Sequence, residues 1–152
     1  MKTLMAYLVS VIAGYVLATV LVSWTNIQAI VDLGFEITLS QRGDTIIHDL
    51  VSMTATYLPL MAIALLIGFL VAGLIIRMKP SLAFVGYVLA GFVAVVVLHV
   101  AMKAALGLTG IAAVRGMMGL IVQGLAGAFA GWCFFRLKIG GPETSEPAES
   151  SV

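Results

Sequence analysis

Four apolar blocks occupy most of this sequence, each close to or above the roughly 20 residues that a helix needs to cross the hydrocarbon core of a bilayer. Backbone amides and carbonyls inside lipid must be paired by the protein itself, and a helix pairs them within its own segment. The expected fold class is therefore an all-α membrane protein: a four-helix transmembrane bundle with an amphipathic outer segment between helices 1 and 2. Its helices are expected at about 4–25, 44–76, 81–106 and 110–137, in one membrane domain covering 1–138, followed by a disordered cytoplasmic tail, 139–152. Composition agrees, since 62% of the 152 residues are hydrophobic and 10% are charged, against about 25% charged in soluble domains.

The first block follows Lys2 and runs from Leu4 to Trp24 without a charge. Val16 and Ala18 offer a small-residue cleavage pattern, but the run exceeds the roughly 7 to 15 apolar residues of a secretory signal and reads as a retained helix. Ala6, Ser10, Gly14 and Ala18 place small side chains along one face, which lets another helix approach closely. Asn26 to Val51 mixes Ile27, Ile30, Val31, Leu33, Phe35, Ile37 and Leu39 with Asp32, Glu36 and Thr38, the pattern of a segment lying on the membrane surface or capping the bundle. Gly34 and Gly43 punctuate it. Asp44 is the expected cap of a second helix that begins outside the bilayer and kinks at Pro59.

Ala64, Gly68 and Ala72 form the small stripe of the second membrane helix, and Gly86, Ala90 and Ala94 that of the third. The basic turn Arg77 to Pro80 joins them, and a short turn at Gly107 and Thr109 makes the third and fourth helices antiparallel neighbours. In the fourth, Gly116, Gly119, Gly124, Gly127, Ala130 and Gly131 fall on one side, with Gln123 near its middle. Such a face packs against protein. Gln123 reads as a hydrogen-bonded bridge between helices, with substrate coordination in a transporter as the alternative.

Positive residues favour the cytoplasmic side. With four spans, Lys2, Arg77, Lys79, Arg136 and Lys138 share one side, and the acidic outer segment takes the other. Both termini are then cytoplasmic, in an inner or plasma membrane, and segment 26–51 is periplasmic or extracellular. Lys103 and Arg115 are exceptions at the outer end. His99 and Lys103 share a helix face, Arg115 enters from the next helix, and no carboxylate lies between Asp49 and Glu143. Three readings follow for this cluster: snorkelling to lipid headgroups, pairing with a lid that carries Asp32, Glu36, Asp44 or Asp49, or an anion or headgroup site.

Other functional classes find little support. A net charge of +1 without a basic run argues against nucleic acid, and Cys133 is the lone cysteine, so an internal disulfide is impossible. A metal or haem would have only His48 and His99, helped by Asp44, Asp49, Met102, Met117 or Met118, and no cofactor is expected. No nucleophile stands beside a base, and His48 with Asp44 or Asp49 is the nearest approach to an acid–base pair, so the chain is not expected to be an enzyme. A coupled carrier would need a membrane-embedded carboxylate, which these helices lack. The expected function is an accessory or structural membrane subunit that lives in the lipid bilayer and forms a homo-oligomer or docks on a membrane-protein partner. The alternative is a small oligomeric transporter or channel for an anionic or lipid-like solute.

Overall fold

The computed structural model describes residues 1–106 and 117–139. All secondary structure among them is helical: α1, Lys2–Asp32; α2, Leu39–Ser52; α3, Tyr57–Met78; a single 3-10 turn, Pro80–Leu82; α4, Ala83–Leu106; and α5, Met117–Ile139. Four of these, α1, α3, α4 with its leading turn, and α5, are long and apolar enough to cross a membrane.

The boundaries differ from expectation where short-range chemistry intervenes. α1 continues two turns past residue 25 and stops at Leu33 and Gly34, whose φ of +92° is open to glycine without strain. The expected continuous helix 44–76 is two helices. Thr38, not Asp44, caps the first of them, in a reciprocal box with Gln41, so Gly43 and Asp44 lie inside α2. Pro59 sets the break that follows. It has no N–H to give the carbonyl four residues back, at Ala55, and its ring would collide with it, which disfavours regular helix through 53–56. Pro59 instead occupies the third position of α3, where a helix N–H has no partner within the helix anyway, and the expected kink is replaced by a fresh helix start.

α5 packs between α1 and α4, α3 packs on α4, and α2 packs on α1. The α4–α5 contact is backbone on backbone. A Cβ added at Gly91 would strike the Gly127 carbonyl, one at Gly127 the Gly91 carbonyl, and one at Gly131 the Tyr87 carbonyl. Gly14 sits against Ala130 across the α1–α5 contact, where an added Cβ would come within 2.7 Å of the Ala130 Cβ. Gly68 faces Ala94 and the Ala90 carbonyl across α3–α4, and Gly86 lies under Ile76 near the basic turn. Gly124 is pressed by the Phe92 ring, Gly119 is half-buried, and Gly116 lies outside the described residues.

Large apolar side chains also cover the outward side of the helices. Ile63, Ile67 and Leu70 on α3, Leu89, Val93 and Val97 on α4, and Leu125 on α5 are all exposed. An apolar outer face, with glycines and alanines at the helix contacts and Tyr15, Met61, Leu65, Phe69, Tyr87 and Phe134 filling the space between them, is the arrangement expected where lipid covers the outside and close packing holds the inside. These four helices support a membrane protein.

Replacing Gly91 or Gly127 with alanine is expected to destabilise the helical state by about 1–3 kcal/mol or more, since the added methyl meets backbone rather than a movable side chain. Gly43→Ala, with nothing within 4 Å of its Cβ, is expected to stabilise by about 0.5–1 kcal/mol. Unfolding in mixed micelles monitored by circular dichroism measures both, and equal effects at the two sites would contradict the packing.

Candidate functional site

Polar side chains gather around Tyr57, the first residue of α3. Because the chain breaks just before it, Tyr57 points into the space between α1, α4 and α5 and is 3% exposed. Its hydroxyl donates to Gln123 Oε1 at 3.1 Å, and Gln123 Nε2 donates to the Ala18 carbonyl at 3.1 Å. One buried amide thus ties α5 to both α3 and α1. The Tyr15 ring lies 6.1 Å from that of Tyr57, and the His99 ring meets it edge-on at 5.7 Å.

His99 Nδ1 donates to the Val95 carbonyl of its own helix at 2.8 Å, which leaves Nε2 as an acceptor. That Nε2 and the Thr19 hydroxyl are buried without a hydrogen-bond partner among the described residues. Further out, the Tyr15 hydroxyl donates to the Leu50 carbonyl at 2.7 Å and lies 3.2 Å from Thr54 Oγ1, and Ser23 Oγ donates to the Asp49 carboxylate. These two ties clip the end of α2 to α1. Arg42 adds a third contact, its guanidinium 5.6 Å from the centre of the Trp24 ring.

Two of the three residues of the expected basic cluster are described. His99 is buried beside Tyr57, Lys103 is exposed one turn beyond it, and Arg115 lies outside the described residues. Of the lid acids, Asp32, Glu36 and Asp44 are exposed and Asp49 is half-buried against Ser23. His48 is exposed, and no three His, Cys, Asp or Glu side chains among the described residues stand close enough together to hold a metal ion.

Reading for charge passes over the residues that carry most of this band: Tyr15, Thr19, Ser23 and Tyr57. A signal for the tyrosines does exist, because a tyrosine inside an apolar run must find a partner for its hydroxyl once buried. Gly91 had a signal too. It falls on the four-residue stripe Tyr87, Gly91, Val95 and His99, every member of which is buried.

The arrangement is suited to holding helices in register. Gln123 uses its carbonyl and its amide toward two different helices, and hydrogen bonds of this kind contribute about 0.6–2 kcal/mol in membranes. Gln123→Leu and Tyr57→Phe are each expected to cost about 1–2 kcal/mol, with a double-mutant coupling of about 0.6 kcal/mol or more between them. A coupling of zero in micelle unfolding would contradict a direct bond.

No known family model, curated protein or solved structure matches this chain, and its own geometry carries the functional reading.

Proposed function

We propose that this chain is an accessory or structural subunit of an inner or plasma membrane, a four-helix bundle that self-associates or docks on a membrane-protein partner through its outer cap. The cap is α2 with the turn before it. Leu39, Ile47 and Val51 follow one another along α2, and with Leu33 and Phe35 they are 63–85% exposed. The opposite side of α2, through Ile46, Asp49 and Leu50, faces α1. That exposed apolar row, held in place by hydrogen bonds to α1, is the observation that carries the reading.

Charge favours a protein over a lipid surface as what covers it. Helices that lie flat on membranes are rich in Lys and Arg on their polar side, whereas segment 26–51 has four acids and one arginine. The orientation proposed puts both termini in the cytoplasm. Arg77, Lys79, Arg136 and Lys138 gather at the end of α3 and α5 remote from α2, as the positive-inside rule asks of a cytoplasmic face.

Native mass spectrometry of protein released from its own membrane with minimal detergent tests the proposal. A stoichiometric second chain, either another copy or a different membrane protein, is expected, and Ile47→Lys with Val51→Lys should release it while leaving helix content unchanged. A monomer carrying only lipid would overturn the proposal, as would solute flux into liposomes that contain this chain alone and respond to neither substitution.

A further inference from the structure

At the basic end, away from the outer cap, α1 and α3 part. Their last tie is the Tyr7 hydroxyl, which donates to the Ala62 carbonyl at 2.7 Å. Beyond it a cavity of about 980 Å³ opens among α1, α3 and α5. Leu4 of α1 and Leu66, Leu70 and Leu74 of α3 form apolar walls, and Arg77 and Lys138 stand at the mouth. Leu66 to Arg77 is 11 residues, or about 16 Å of helix, close to half of a hydrocarbon core about 30 Å thick. The slot therefore has the depth of one leaflet.

Lys138 is a placed cation. Its ammonium donates to the Tyr87 hydroxyl at 2.7 Å and lies 5.0 Å and 5.3 Å from the centres of the Tyr87 and Phe134 rings. One of its three N–H groups is used there, and two remain for a ligand. No carboxylate occurs before Asp32 or between Asp49 and Glu143, so the charge at the mouth is not answered from within the helices. Glu143, Glu146 and Glu149 follow in the sequence, but GGPETSEPAESSV has no large apolar side chain with which to fill a slot walled by leucines. An acyl chain below and an anionic phosphate above meet both requirements.

We propose that this cavity is a binding site for one anionic phospholipid of the cytoplasmic leaflet, with an acyl chain between α1 and α3 and the headgroup phosphate on Arg77 and Lys138. The site rests on the membrane placement and the orientation proposed for the four helices and is independent of what covers α2. Juxtamembrane cations attract acidic headgroups, and Lys138, held against Tyr87 beside Arg77 at the mouth of the slot, selects acidic over neutral lipid.

The full chain in nanodiscs of phosphatidylcholine with about one-fifth phosphatidylglycerol, released gently into a mass spectrometer, tests this. One phosphatidylglycerol adduct per chain is expected to outlast all phosphatidylcholine adducts. Arg77→Gln with Lys138→Gln should weaken that preference about tenfold or more. Arg136→Gln removes a charge at the same end that leans on Trp132 and does not line the cavity, and it should leave the preference intact. Gly73→Leu should displace the lipid by filling the slot, and glycerol phosphate alone should not bind. Equal retention of neutral and acidic lipid, an unchanged preference in the double variant, or an adduct that forms only after residues 140–152 are removed would each overturn the proposal.

Discussion

The contact between α4 and α5 sets the terms for the rest of the molecule. In lipid, apolar side chains gain nothing by turning away from solvent, so helices hold together through close packing and a few polar bonds. Gly91, Gly127 and Gly131 carry no side chain where they meet the facing helix and let two backbones touch. With α5 drawn that close to α4, its neighbouring face, Ala126 and Ala130, is offered to Gly14 of α1. Gln123, one turn from Gly127 on the same helix, then reaches Tyr57 and Ala18 together. The polar band depends on the glycine contact beneath it, because a helix moved outward by one methyl group would stretch both bonds of the amide.

The two ends of this packed unit differ in chemistry. At one end α1 outruns its neighbours and α2 folds back on it, held by Tyr15 and Ser23, so acidic and apolar residues share one cap. At the other end cations collect, α1 and α3 separate, and Lys138 is fixed against two aromatic rings. Glycines and large buried side chains close the middle. The two proposals fall at the ends, with protein at the cap and an acidic lipid at the base.

Much of the fold was legible because lipid imposes simple demands. Four long apolar runs imply four helices, and all four are present among the described residues. The glycines at 14, 68, 127 and 131 stand at helix contacts. What escaped was decided by short-range or three-dimensional chemistry. The capping box at Thr38 overrode Asp44, and Pro59 started a helix instead of bending one, because a proline's effect depends on how many residues of helix precede it. Gly91 was hidden behind the Gly86, Ala90 and Ala94 stripe, since α4 uses two faces for two neighbours. The polar band was read for charge, while the groups that build it are hydroxyls and one amide. Arg115 and Gly116 fall outside the described residues.

All of this requires that the acidic cap and the basic base face opposite sides of one membrane. Single cysteines at Thr45 in α2 and at Lys79 in the turn after α3, in a Cys133→Ser background, can be reacted with a membrane-impermeant maleimide on intact cells. The expected result is labelling at position 45 from outside and at position 79 only after the membrane is opened. Labelling of both positions from the same side would contradict a membrane-crossing α3, and with it the assignment of the two ends to two different partners.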